Sequence, residues 1–459
     1  MPTPPPFDAV AFRRHLHSHP EVGADTPRTA AAVAGVLEAA GLEVARGVGG
    51  HGVVASLGAG PPEDAVLLRA DMDALPIAEE TGLPHASTVP GRHHGCGHDG
   101  HATMLVAAGL ALAADPPPRR VHLMFQPDEE TGAGAAAMLA DGLLERFPVA
   151  AAFGLHNAPH LPLGHVGIAP GPFFAFEENF EIVLRGRGGH AAMPERLADP
   201  LVAGAALVGA LQTIVSRAVP PARYAVVSVT GFETDGARNV VPSTVRLTGD
   251  FRGYDDGTAA LVEARMRALA EGIAAAHGVA AGIAVSRSFE PLHNDPAMTG
   301  ALVRAAEAAG LVVDAAHPRI GGSEDFAAVL ARVPGAMAMI GQDPGDAPRH
   351  ALPLHNPGYD FADALLPLGA ALWQALARVP LPRDPAILSP RDARGQAGRD
   401  DRAPRVPHGR VRMADREGPP TPAAIAGRLG TPAPDMRRST GGLRDRARAP
   451  GGNDRSDAC

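Results

Sequence analysis

Apolar and polar positions follow two regimes along this chain, and each predicts a different architecture. Residues 29–40 carry small apolar side chains at helical spacing and stop at Gly41, which predicts a helix. Apolar runs of strand length follow at 42–45, 53–57 and 65–69. The Ala-rich stretch 102–114 reads as a buried helix, 120–125 as a strand, 133–145 as a helix and 149–155 as an apolar strand. Strands alternating with helices predict a mostly parallel sheet covered by helices, an α/β architecture.

Between 180 and 288 the order changes. A strand (180–187), a helix (200–218), two strands (224–230, 245–252), a helix (258–276) and a strand (281–288) give β-α-β-β-α-β, the order of a ferredoxin-like unit. The first regime then resumes with a helix at 296–309, a strand near 311–314, and Gly321-Gly322-Ser323-Glu324-Asp325-Phe326 opening another helix. A strand at 336–340 and a closing helix to about residue 377 complete it, with Asp360 as the expected N-cap. The middle unit therefore reads as an insertion, dividing the chain into 1–178, 179–289 and 290–380.

Composition changes the picture at the ends. Residues 381–459 carry a net charge of +6 against −15 for residues 1–380, with few large apolar side chains, and are expected to be disordered. The whole chain, at −9, has no general attraction to nucleic acid or to an anionic membrane. Arginine supplies all 41 positive charges. The two cysteines, Cys96 and Cys459, lie inside a motif and at the last residue, a pattern that argues against a disulfide framework. The N-terminus lacks the basic and apolar regions of a secretory signal. The longest helix-like apolar run, 104–114, is shorter than a bilayer span. A soluble cytoplasmic protein without nucleic-acid or membrane partners is the expectation.

Candidate chemistry centres on Gly95-Cys96-Gly97-His98-Asp99-Gly100-His101. Cys96 and His98 pair a soft with a borderline ligand, suiting Zn²⁺ or a neighbouring transition metal. Asp71 and Asp73 follow the end of a strand, where open α/β sheets place their ligand crevice, although turn-forming aspartates sit there too. Glu129 and Glu130 follow another strand, and at such a turn one carboxylate can bind metal while the other moves protons. Glu pairs are also common on solvated helix starts. His156 ends a third strand, and the repetition at equivalent ends carries the argument. His190, on a glycine-rich turn, and Asn239, between the middle strands of the insertion, are loop positions suited to binding. His355 is the last ligand candidate. His15 and His19, spaced i, i+4 before Pro20 ends the helix, read as a hydrogen-bonded structural cluster near the site.

Seven segments together resemble the ordered motifs of the M20 metallopeptidase family. They are Leu16-His-Ser-His-Pro-Glu21, Arg69-Ala-Asp-Met-Asp-Ala-Leu-Pro76, Gly95–His101, Gln126-Pro-Asp-Glu-Glu130, Gly188-Gly-His-Ala-Ala-Met-Pro194, Gly322-Ser-Glu-Asp-Phe326 and Leu354-His-Asn-Pro-Gly-Tyr-Asp-Phe361. The resemblance spans about residues 7–380 and is nearest to the amidohydrolase branch of hippurate hydrolases, auxin-conjugate hydrolases and N-acetyl-diaminopimelate deacetylases.

That resemblance implies a catalytic α/β domain with a mostly parallel sheet, interrupted by a ferredoxin-like lid. It implies two divalent metal ions on Cys96, His98, Glu130, His156 and His355, with Glu129 as general base and acid and His190 holding the carbonyl oxygen. Asn239, Gly322 and Ser323 correspond to positions near the substrate's carboxylate. A thiolate–imidazole set favours Zn, Mn, Co or Ni over Mg or Ca. The implied reaction is hydrolysis of an N-acyl amino acid, a small-molecule substrate. The alternatives are a dipeptidase or aminoacylase, a Cys96 nucleophile paired with His98 or His101, and a non-catalytic binding protein on the same fold. The lid could support a homodimer.

Departures from the family pattern are Asp128, Thr131, Ala158 and Ala191. Asp128 could raise the pKa of Glu129 by like-charge repulsion. Phe173, Phe174 and Phe176 are expected to shape the substrate pocket.

Overall fold

In the computed structural model, which describes residues 7–345 and 347–382, the apolar runs of the first regime pair into one eight-stranded sheet. The expected disordered tail lies, from residue 383 on, outside the described residues. The strands are ordered Glu43–Val48, Gly52–Leu57, Val121–Gln126, Val66–Asp71, Ala151–Pro162, Gly335–Asp343, His165–Gly167 and Val312–Asp314. The third to sixth of these run parallel, and the first two join them as an antiparallel hairpin. His165–Gly167 is antiparallel to Gly335–Asp343 and parallel to Val312–Asp314.

Every residue of Gly52–Leu57, Val66–Asp71 and Val121–Gln126 is buried, because both faces of the sheet are covered. Leu68 and Ala70 point into a core shared with helices Ala9–Ser18, Pro27–Ala39, His98–Ala114, Pro296–Ala308 and Leu365–Leu376. Leu67 points to the other face, packed with Met138, Phe326 and Val329. Helix His98–Ala114 is buried around most of its circumference, so its apolar residues run continuously instead of in a stripe. Gly100 lets the Phe361 ring approach, since a Cβ there would overlap the ring.

Three elements depart from their expected bounds for local reasons. The helix expected from 102 begins at His98, because Gly97 takes a left-handed conformation (φ 88°) that starts it earlier. The helix expected over 133–145 is two pieces, Gly134–Ala140 and Leu143–Arg146, divided at left-handed Gly142. Asp360 does not cap the last helix, whose cap is Ala364; its buried carboxylate instead accepts from Arg13 Nη1 at 3.3 Å.

Phe176–Arg185, Ala225–Thr234, Thr244–Gly253 and Ala280–Phe289 form a separate antiparallel sheet. Helices Pro200–Thr213 and Asp256–Ala276 pack on it, and Ile182, Leu184, Leu207, Leu211, Val245, Val262 and Met266 form a core of its own. The first of these strands sits between the third and the fourth, the arrangement of a split βαβ unit. The chain leaves and re-enters the first part along a two-stranded ribbon, Gly171–Phe174 with Leu292–Asn294. The longest apolar helical stretch is in this unit and not at 104–114. Pro200–Thr213 continues as a π turn to Ala218, and together they are long and apolar enough to cross a bilayer. Here Ala203, Leu207, Leu211 and Ile214 face the core of the second sheet, while Leu201 and Val202 are exposed.

His122, buried on strand Val121–Gln126, lies with Nδ1 2.7 Å from Ser56 Oγ. Burial, reinforced by Arg120, pushes its pKa down to about 4, so it is held as the neutral imidazole. With an unfolded value near 6.5, its contribution is complete above that pH and is lost as pH falls through 6.5 toward 4. Between pH 7 and 4, urea unfolding of the wild type should lose about 2–3 kcal/mol more than that of His122→Gln. Parallel pH curves for the two proteins would assign the acid sensitivity elsewhere.

Candidate metal centre and active site

The parallel strands deliver their chemistry to one edge, as their direction requires. Asp71 ends Val66–Asp71, and Asp73 follows it. Val121–Gln126 leads into Glu129 and Glu130. His156 does not end its strand as expected, because Ala151–Pro162 continues beside Gly335–Asp343. The pairing with Val66–Asp71 stops at Gly154, so His156 and Asn157 sit where the neighbouring strand has left and the sheet opens.

Cys96, His98 and His156 place their donor atoms within 4.8 Å of one another, as do Cys96, Glu130 and His355. Glu129 groups in the same way with His98 and Glu130. Cys96 Sγ is 3.4 Å from His156 Nε2, and His355 Nε2 is 3.5 Å from Glu130 Oε2. His355 takes a left-handed backbone (φ 66°), and its N–H donates to the Gly95 carbonyl at 2.8 Å, tying this distant loop to the Cys96 turn. Gly97 must lack a side chain, since a Cβ would stand 2.8 Å from the Tyr359 hydroxyl.

The aspartates orient this set. Asp73 accepts from the Glu130 N–H at 3.1 Å and lies 3.3 Å from His98 Nδ1, which turns His98 Nε2 toward Glu130. Asp71 lies 2.6 Å from His101 Nδ1 and accepts from Arg69 at 2.8 Å. His101 Nε2 meets Asn157, so both ring nitrogens are engaged and His101 is not free to act as base for Cys96. Burial, with Glu130, pushes the Cys96 thiol up, the reverse of what an unassisted nucleophile needs.

Glu129 is held well above the carboxylate range by burial and by Glu324 and Asp325. Asp128, expected to exert this effect, turns away. It occupies a left-handed turn (φ 60°) and accepts from Thr131 Oγ1 at 2.8 Å, a conformation that Asp tolerates better than most residues. Burial raises Glu130 to about 7 against the pull of His98. Beneath both glutamates, Arg69 spends all five N–H donors on Gln126, Asp71, Glu324 and Asp325 at 2.8–3.3 Å.

Both ring nitrogens of His98, Glu130 Oε1 and Asp73 Oδ1 are buried without a hydrogen bond. Buried polar atoms in such a group call for a partner, and a thiolate, three imidazoles and carboxylates fit divalent transition ions. Cys96 belongs to two of the donor groups, which suits two neighbouring ions.

A cavity of about 310 Å³ opens over Cys96, Glu129, Glu130, His156 and His355, with His98 beneath its floor. Gly322 and Ser323 line it. Of the three phenylalanines only Phe174 does; Phe173 and Phe176 are buried in the cores. Neither His190 nor Asn239 reaches the cavity. They lie together on an exposed ribbon, with His190 paired to Val240 and the Ala191 N–H donating to the Asn239 carbonyl. The sequence reading missed Glu177, Arg252, Phe289, Ile320, Met339 and Leu354 in the walls. Arg252 reaches Ser323 Oγ at 3.3 Å from the second sheet, a contact no local motif signals.

A buried carboxylate beside a cluster of donors that could hold metal ions, at the carboxyl edge of a parallel sheet, is the setting of a hydrolase. Residues 67–379 match the model of Peptidase family M20/M25/M40. The chain belongs to that family and is an amidohydrolase. It is 38% identical over 343 residues to N-acetyl-L-cysteine deacetylase of Bacillus subtilis (strain 168), covering 74% of this chain and 82% of that relative. It is 36% identical over 370 residues to the hippurate hydrolase of Campylobacter jejuni, covering 80% and 94%. The crystal structure of the Bacillus subtilis YXEP protein, described as a dinuclear metal-binding peptidase of the M20 family, aligns with a TM-score of 0.70 at 30% identity, covering 80% of this chain and 96% of that one.

Proposed function

We propose that this protein hydrolyses the amide bond of N-acyl amino acids, releasing a carboxylic acid and a free amino acid. The observation that carries this reading is Glu129, a buried carboxylate of raised proton affinity at the floor of the cavity, beside the Cys96, Glu130 and His355 donors. The names of the similar deacetylase and hippurate hydrolase support the substrate class.

Two divalent ions (Zn, Mn, Co or Ni) held by Cys96, His98, Glu130, His156 and His355 would polarise the amide carbonyl and acidify a water. Glu129 then takes the proton of the attacking water and delivers it to the leaving nitrogen. Phe174, Phe289, Ile320 and Met339 offer an apolar wall for the acyl group. Arg252, the one permanent cation among the described lining residues, is paired with Glu177 at 2.6 Å and Asp250 at 3.0 Å, and with Ser323 it would meet the substrate's carboxylate. His190 lies outside the lining of this cavity.

The test is amino-acid release from a panel including N-benzoyl-glycine, N-acetyl-cysteine and N-acetyl-diaminopimelate, with and without chelator. Release that chelator stops and Zn²⁺ or Mn²⁺ restores is expected. Cleavage of dipeptides alone would replace this reading with the dipeptidase one.

The exposed Leu201 and Val202 of helix Pro200–Thr213, with Phe232 on the edge strand Ala225–Thr234, further suit a homodimer through the second sheet. Light scattering that returns the monomer mass at tens of micromolar would remove that part.

A further inference from the structure

A second cluster of imidazoles and carboxylates is buried beside the metal helix, and nothing in the proposed reaction uses it. Helix Ala9–Ser18 brings Arg13 and His17 against Asp99, in the first turn of His98–Ala114. Arg13 Nη1 donates to Asp99 Oδ2 at 3.1 Å, and His17 Nδ1 lies 2.9 Å from the same oxygen. Asp99 thereby fixes the ring and turns His17 Nε2 toward Glu79, 3.4 Å from Oε1. Across that carboxylate, His93 Nδ1 is 3.4 Å from Glu79 Oε2. The carboxylate is itself anchored by the Ser87 N–H at 2.6 Å and by the Thr81 hydroxyl.

Three features of this arrangement point the same way. The His93 ring is fully buried, and neither of its nitrogens makes a hydrogen bond. Both nitrogen–oxygen separations, at 3.4 Å, exceed a good hydrogen bond. They equal the spacing of about 3.4 Å between two ligand atoms that each sit about 2.0–2.1 Å from a tetrahedral ion. The pairing of Asp99 with His17 Nδ1 is the carboxylate–imidazole arrangement that orients a metal-ligating histidine.

We propose that His17, Glu79 and His93 bind one divalent transition-metal ion, distinct from the pair at Cys96. Two imidazoles and a carboxylate suit Zn²⁺. Their donor atoms lie within 4.8 Å of one another, and none of the three residues lines the cavity over Cys96. The ion is structural: it joins the first helix, the segment carrying Glu79, and His93, which bridges to Leu75 and leads into the Cys96 turn.

The experiment uses the full chain carrying Cys96→Ser and Cys459→Ser, so that the introduced thiol is the one thiol in the chain. Protein stripped of metal is reloaded with Co²⁺, desalted and analysed for cobalt per chain, alone and with His93→Gln or His93→Cys added. The parent should retain one more ion than His93→Gln. His93→Cys, which restores a donor, should match the parent and gain thiolate-to-cobalt absorption in the near ultraviolet. Equal cobalt in the parent and His93→Gln overturns the proposal. So does a His93→Cys protein without the added absorption, which decides the matter if His93→Gln does not fold. Neither readout involves substrate, so the result stands apart from the hydrolase reading.

Discussion

Glu129→Gln should lower kcat for release of the amino acid by about 10²- to 10⁴-fold, the range of a positioned acid–base group. The amide keeps the size of the side chain and removes only its capacity to take a proton from water. Metal content should not change, because Cys96, His98, Glu130, His156 and His355 remain. Unfolding stability should stay level or rise, since burial and the neighbouring Glu324 and Asp325 already disfavour the Glu129 charge. Turnover kinetics paired with metal analysis on the same sample separates these effects. A variant with full metal and near-normal kcat would sink the role given to Glu129.

Arg69→Met should cost about 3–5 kcal/mol of folding stability, the usual loss when one partner of a buried ion group is removed. Arg69 is fully buried, and its loss strands Asp71, Glu324 and Asp325 without their shared cation. Burial already pushes Asp325 up to about 8 despite the guanidinium. The variant therefore has to take up protons in order to fold. Its stability should recover in part as pH is lowered from 8 to 6, more steeply than that of the wild type. Urea titrations at the two pH values measure both effects, and a loss below 1 kcal/mol would show that the network relaxes around the gap.

Much of this site was legible because its residues carry local signatures. Cys96 and His98 are two apart in a glycine-rich turn, and Glu129-Glu130 follows a strand that announces itself by an unbroken apolar run. The βαββαβ order of the insertion was equally readable, since each element has its own period. What escaped the sequence was set at long range. Arg13 and His17 look like part of a histidine-rich helix face, yet their partners Asp99 and Asp360 lie 86 and 347 residues from Arg13. The exposed face of that helix carries His15, the residue whose spacing drew notice. Asp360 has the position of a helix cap and serves as a buried counter-charge. His190 and Asn239 have the composition of binding loops, but the register of a two-stranded ribbon decides where they face.

The connectivity of the large sheet sets an order on biosynthesis. Gly335–Asp343 lies between Ala151–Pro162 and His165–Gly167, so a strand made late is placed between two strands that left the ribosome long before it. Before residue 343 has emerged, the nascent chain can pair Val66–Asp71 with its neighbours, and it can complete the second sheet, whose strands all fall within Phe176–Phe289. The edge of Ala151–Pro162 that carries His156 stays open throughout this interval, with unpaired backbone groups exposed. The inserted unit thus finishes folding first, while the half-built sheet flanking it is the part of the newborn chain most in need of protection from aggregation.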